Sequence, residues 1–307
     1  MLTILTWLWS QAGGRTAYTA AHVNIWADMV RRNLSMPHRL ACVTDMPAGI
    51  SKGIDIIEPP GEFEDVRIPT WGENRGRGLP QCFRRIALFR PDAGRIFGKH
   101  FVSMDLDCVI GADLTPLFDH DYDFRMYRGT TLSRPYNGSM LQMKAGARPQ
   151  VYSDFTVEGA TEAGKKYLGS DQAWISYSLG PGEATWGAAD GVLAYGSRHN
   201  VEASIQRIMF FLSPIKPWDM LADPWIGAHY RRGNGRRGLI LGRGKSVWDE
   251  AEAALERDRF DGVIALREPA QHWPGEIEAV AENEGHALRL AAMLGFTDYT
   301  FCGRAII

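Results

Sequence analysis

Only four cysteines occur in 307 residues, Cys42, Cys82, Cys108 and Cys302, and no two form a CxxC pair or stand beside a histidine cluster. That spacing excludes a zinc finger and a disulfide framework, and predicts buried thiols in a reducing compartment. Excess charge is also missing. Against 36 Asp and Glu stand 34 Lys and Arg, so no global field draws the chain to nucleic acid or to a membrane surface. No apolar run is long enough to cross a bilayer. The opening stretch from Met1 to Ser10 is apolar but short, with no basic segment before it, which predicts a buried first strand in a cytoplasmic protein. Internal repeats and low-complexity tracts are absent. What is present, 45% hydrophobic and 23% charged residues, suits a globular chain that buries a full core in one large domain, with or without a smaller one.

Apolar runs of two periods alternate along the chain. Leu2 to Trp9 reads as a strand, followed by a turn at Gly13 and Gly14, and Tyr18 to Arg32 places Ala21, Ile25, Trp26, Met29 and Val30 on one helical face. Arg39 to Thr44 and Ile54 to Ile57 are further strand-like runs, the first ended by Asp45, Pro47 and Gly49. Glu58 to Leu79 reads as a loop and Phe83 to Phe89 as a short amphipathic helix. His100 to Met104 is a buried strand that runs directly into Asp105, Leu106 and Asp107. The alternation predicts an α/β domain with a largely parallel sheet, whose ligands sit beyond the carboxyl ends of the strands.

Composition shifts after Tyr230, where Arg231, Arg232, Arg236 and Arg237 are spaced by glycine and asparagine in an exposed linker. Beyond it, strands at Leu239–Leu241, Gly262–Leu266 and Thr300–Cys302, a helix at Val247–Arg257 and another within Glu276–Leu294 predict a small Rossmann-like lobe. The expected domains are 1–232 and 236–307. No acid interrupts Arg231, Arg232, Arg236, Arg237, Arg243 and Lys245, and Arg75, Arg77, Arg84 and Arg85 form a second basic group. Such stretches can follow a nucleic-acid backbone, or serve as a solvated linker and as contacts to a small diphosphate. Leu239 to Val247 has the strand, glycine turn and helix start that can accept a phosphate, though its spacing is too short for a P-loop.

The acids carry the sharpest chemical signal. Alternation in an extended segment places Asp105 and Asp107 on one side, and the apolar run before them anchors both. Two carboxylates at that spacing can hold a hard cation, Mn²⁺ or Mg²⁺, while diphosphate oxygens complete its shell. The cation would neutralise charge on a leaving nucleotide diphosphate.

Five blocks then occur in a familiar order: Arg85 to Phe89, Phe101 to Phe118 around the two acids, Tyr136 to Leu141, Gly169 to Gln172, and Phe210 to Trp218 with Lys216-Pro217-Trp218 at its end. Together they resemble the GT-A glycosyltransferases, in particular the family 8-like branch, over residues 1 to 230. The resemblance implies a Rossmann-like nucleotide-diphospho-sugar transferase fold with a small C-terminal α/β lobe, and transfer of a sugar from a nucleotide-sugar, a UDP-sugar first, with retention of anomeric configuration. It implies Asp107 and Asp105 as metal ligands, Thr6, Trp7 and Arg15 around base and ribose, and Arg85 at the ribose or diphosphate. Asn137, Asp171 and Gln172 would face the transferred sugar, with Asp171 and Gln172 at the reacting centre, and Lys216 would pair with the diphosphate. The family's histidine ligand is missing, since that stretch reads Phe210 to Ser213; His229, or more weakly His199, stands nearest in sequence to replace it. The acceptor stays open between a glycan, a small molecule, a protein and modified bases in DNA, the last as in phage enzymes. A binding module without catalysis is the third reading.

Overall fold

Leu2–Leu8 is buried along its whole length, on both faces, as expected of a central strand in a parallel sheet. This strand, β1, pairs in parallel with β2 (His38–Thr44) on one side, and β2 in turn with β3 (Asp55–Ile57). On the other side it pairs in parallel with β4 (His100–Met104). The chain then leaves that sheet for β5 (Cys108–Ile110), returns through β6 (Phe124–Tyr127), β7 (Asn137–Lys144) and β8 (Ala184–Trp186), and forms β9 (Val192–Ala194) and β10 (Ile208–Phe210). The computed structural model describes residues 1–10, 17–72, 81–200, 202, 205–212, 214–233, 236–243, 246–257, 260–293 and 296–303. The chain divides into two compact units, Met1–Lys216 and Pro217–Ile307.

In the first unit, seven strands lie in the order β3-β2-β1-β4-β7-β6-β8. The first four are parallel, β7 runs antiparallel to both β4 and β6, and β8 is parallel to β6. The expected α/β class with a parallel-dominated sheet is thus observed. Leu5 and Trp7 of β1 pack into a core with Phe83, Phe89, Phe101, Leu141, Met143 and Trp174. Phe83–Phe89 forms a 3₁₀ helix there, almost wholly buried, rather than an amphipathic α-helix. A separate three-stranded sheet has the order β5-β10-β9. The helix Ala20–Asn33 reaches it, its Asn33 side chain donating to the Ile110 carbonyl.

The start of β9 depends on a residue without a side chain. Gly191 has φ +78°, and a Cβ there would lie 2.0 Å from the Ile205 carbonyl oxygen. Gly191→Ala should therefore lower the unfolding free energy by about 2 kcal/mol, read from a urea midpoint at unchanged slope.

In the second unit, β11 (Arg236–Leu241), β12 (Gly262–Leu266), β13 (Ala279–Ala281) and β14 (Phe296–Cys302) are all parallel in the order β13-β12-β11-β14. The helices Val247–Arg257 and Glu284–Met293 pack on it, each over its own apolar layer. Ala279–Ala281 is a strand inside the stretch Glu276–Leu294, for which the sequence named a helix. Ser246 and the Gly303 N–H both donate to Glu250, so a carboxylate of the protein itself stands at the first turn of Val247–Arg257. Arg231 donates to Asp261 and to the Ala228 carbonyl. Lys245, Arg75 and Arg77, and the side chains of Arg236 and Arg237, lie outside the described residues. Among the described residues no helix is long and apolar enough to cross a membrane.

Candidate active site

Asp105, Leu106 and Asp107 are the three-residue passage from β4 in the seven-stranded sheet to β5 in the three-stranded one. Backbone bonds fix both ends of the passage: Asp105 N–H donates to the Ser139 carbonyl on β7, and Phe211 N–H donates to the Asp107 carbonyl. Leu106 turns inward at 4% exposure while the chain bends at Leu106 and Asp107, and both acids stay partly exposed. They lie at the carboxyl end of β4, next to β1, where the parallel strands run outward in both directions; a ligand crevice is expected there in such sheets.

One arginine ties this pair to a third acid. Arg85, from the buried 3₁₀ helix, donates through one terminal nitrogen to Asp105 Oδ1 at 2.5 Å and through Nε to Asp171 Oδ2 at 2.7 Å, and also meets the Gly138 carbonyl. Burial opposes its charge, but Asp171 and then Asp105 outweigh that, and the guanidinium is held well above its usual pKa. Burial, and after it the neighbouring Asp107 charge, push Asp105 above the ordinary carboxylate range, against the opposing pull of Arg85. Asp171 opens the helix Asp171–Leu179 and is 2% exposed. Ser170 before it donates to Asp171 Oδ1 and accepts from the Cys82 N–H, locking the two segments together. Gln172 is held by its Oε1, which accepts from the Gly138 N–H at 3.1 Å. Gly138 fits because it has no side chain: a Cβ there would lie 3.0 Å from an Arg85 nitrogen and 3.4 Å from Asp171 Oδ2.

Asp107 has two donors on one oxygen. Lys216 Nζ lies 2.5 Å and the Tyr18 hydroxyl 3.0 Å from Oδ2. Lys216 is 9% exposed. Three carboxylates thus face two cations in one cluster, and one negative charge is left over when all are ionised. The cysteine at its edge, Cys82, is no nucleophile at neutral pH, because burial pushes its thiol up to about 12 despite Arg85.

The structure brings together Arg85, Asp105, Asp107, Asp171, Gln172 and Lys216 of the residues singled out from sequence. It places others elsewhere. Thr6 is fully buried within β1, and Trp7 lies in the core with its indole N–H donating to Ser103 Oγ, so neither is open to a base or ribose. Both were expected at the strand's end, but β1 runs on to Leu8 and keeps them inside the sheet. Asn137 is buried too, its amide oxygen accepting from the Ser139 N–H, and Gly138 is the residue that meets the cluster. Arg15 and the His199 side chain lie outside the described residues. His229 belongs to the second unit, where its ring lies 4.9 Å from Trp225. At the position of the expected histidine, Phe210 packs in β10 against Tyr127 and Phe211 stacks on Tyr195 at 4.6 Å; both are fully buried and neither can ligate. Tyr18, Gly138, Ser139 and Ser170 were not singled out. Gly138, Ser139 and Ser170 fall inside the blocks Tyr136–Leu141 and Gly169–Gln172 without a role of their own there, and Tyr18 lies just before a helix, where no spacing rule points to it.

Among the described residues no cluster of three His, Cys, Asp or Glu side chains could hold a metal. The two-acid set still fits Mg²⁺ or Mn²⁺ in the mode that takes one or two carboxylates and fills the remaining positions with phosphate oxygens and water. Asp107 Oδ1, which makes no hydrogen bond among the described residues, is available for it.

No protein-family model matches the chain, and no curated protein matches it. Among solved structures it overlaps the galactosyltransferase LgtC in complex with donor and acceptor sugar analogs, at 14% identity and a TM-score of 0.48 over 70% of this chain and 89% of that one. It also overlaps the glycosyltransferase GlyE of Streptococcus pneumoniae TIGR4, at 13% identity and a TM-score of 0.44 over 99% and 80%. The bifunctional glycosyltransferase WbbM overlaps at 11% identity and a TM-score of 0.43, over 71% of this chain and 46% of that one. Overlaps this weak leave the function to the geometry of the site.

Proposed function

We propose that the chain is a glycosyltransferase of GT-A type that takes a sugar from a nucleotide-diphosphate donor, with a divalent cation between the donor's diphosphate and Asp105 and Asp107. The observation that carries this reading is the single Arg85 guanidinium joining Asp105 to Asp171, with Lys216 against Asp107, at the carboxyl end of a parallel strand. That cluster has one part for each portion of such a donor. Lys216 offers a point charge to a diphosphate. Asp171, 2% exposed and engaged on both oxygens by Arg85 and Ser170, holds Arg85 in place, and Gln172 stands next to it with an amide N–H₂ to offer a sugar hydroxyl. When bound, the cation would supply charge neutralisation on the leaving diphosphate. Arg85 keeps the acids of the cluster in a fixed relation, so positioning and charge stabilisation do the catalytic work.

The block order shared with the family 8-like branch supports retention of the anomeric configuration and a UDP-sugar as first donor to test. A donor screen by thermal shift with UDP-, GDP- and CMP-sugars identifies the nucleotide, since a ligand at a hundredfold its dissociation constant adds about 2.7 kcal/mol. Donor hydrolysis should then require Mn²⁺ or Mg²⁺, stop with chelator, and fall at least about a hundredfold in Asp107→Ala. Hydrolysis that survives both chelator and Asp107→Ala would remove the metal from this reading.

A further inference from the structure

Asp107 is a carboxylate with its two oxygens in different environments. Oδ2 receives the Tyr18 hydroxyl at 3.0 Å and the Lys216 ammonium at 2.5 Å, while Oδ1 makes no hydrogen bond among the described residues. Carboxylate rotation about χ2 is soft, so without such bonds the two oxygens would exchange freely. Two donors on one oxygen fix which oxygen faces outward.

Tyr18 is well built for that task. It immediately precedes Thr19, the N-cap of the helix Ala20–Asn33, where His22 Nδ1 accepts the Thr19 N–H at 2.9 Å and reinforces the turn. The Tyr18 ring stands edge-on to the His22 ring at 6.0 Å. The helix start therefore sets the position of the phenol, not the flexibility of a side chain. Its bond to Asp107 spans 89 residues of sequence and joins the first crossover helix to the passage between the two sheets.

We propose that Tyr18 is a positioning residue for divalent-cation binding: its hydroxyl holds Asp107 so that Oδ1 faces the cation. This rests on the metal-assisted reading above. A hydroxyl adds no charge, so its contribution is orientation, and hydrogen bonds of this kind behind a metal ligand typically change metal affinity by about 10–100-fold. Tyr18→Phe removes only the bond and keeps the ring.

The test is Mn²⁺ affinity of the full chain, read from the electron paramagnetic resonance signal of free Mn²⁺ during titration, with UDP present as the diphosphate probe. Melting temperature and UDP affinity without metal are measured on the same samples. Tyr18→Phe should bind Mn²⁺ about tenfold more weakly, with melting temperature and metal-free UDP affinity unchanged. An Mn²⁺ affinity within twofold of wild type overturns the role of Tyr18 and leaves the metal reading standing. Failure of the wild-type chain itself to take up Mn²⁺ overturns both, and a purely structural role for Tyr18 would show as a lower melting temperature with Mn²⁺ affinity intact, which also overturns the proposal.

Discussion

Arg85→Met should lower the unfolding free energy by about 3–5 kcal/mol at neutral pH and abolish donor turnover. The size follows from what the guanidinium does. Asp171 is 3% and Asp105 29% exposed at the side chain, and Arg85 is the cation that both share. Methionine fills similar volume but leaves two carboxylates facing each other with no cation between them. Breaking a buried pair costs far more than forming it gains, because the remaining charge keeps its desolvation penalty. The pH dependence has a definite sign. Asp105 already binds its proton more tightly in the fold than in the open chain, through burial and then Asp107, with Arg85 restraining the shift. A carboxylate with a raised folded pKa stabilises the fold relative to its ionised form at low pH and loses that contribution as pH rises through the folded value. Removing Arg85 raises that value further. The deficit of the variant should therefore be largest above neutrality and shrink towards pH 5, as measured by urea unfolding at both values. An equal deficit at both would show that Arg85 acts by packing rather than by charge.

Much of this cluster was legible in sequence because β4 announces it. His100 to Met104 is a strand-like run carrying Phe101, Val102 and Met104 that leads straight into two acids at a two-residue spacing, and burial of the run fixes the acids at a strand's end. The parallel half of the sheet was legible for the same reason, since β1, β2 and β4 are long and buried on both faces. The three-stranded sheet was not. Cys108–Ile110, Val192–Ala194 and Ile208–Phe210 are three residues each, too short for any period to show, and only tertiary pairing makes them strands. The same limit hid the role of β7. Its segment from Tyr136 to Leu141 drew attention to Asn137, which has a polar side chain, whereas the structure needs Gly138 for having none. Arg85 shows a different kind of limit: the resemblance of its block implied a contact to ribose or diphosphate, and only the fold shows that its Nε and one terminal nitrogen are committed to the acids themselves. Its side chain arranges the acids of the proposed site.

Lys216→Met should separate two effects that most substitutions in a binding site move together. Lys216 and Asp107 are 11% and 14% exposed at the side chain, so the pair is largely desolvated, and loss of the ammonium should lower stability by about 2–4 kcal/mol. UDP affinity should fall as well, because a point charge for the diphosphate is gone. Mn²⁺ should behave in the opposite way. With Lys216 present, a divalent cation approaching Asp107 meets a fixed ammonium 2.5 Å from one of the two carboxylate oxygens. Without it that repulsion disappears, Oδ2 keeps only the Tyr18 hydroxyl, and the cation restores the missing counter-charge. Mn²⁺ should therefore raise the melting temperature of the variant more than that of wild type, each tenfold gain in affinity adding about 1.4 kcal/mol at saturating metal. Stabilisation by Mn²⁺ that is equal in the two proteins would mean that the cation does not share Asp107 with Lys216. A weaker diphosphate site with a tighter metal site, from one substitution, is the result that only a shared carboxylate produces.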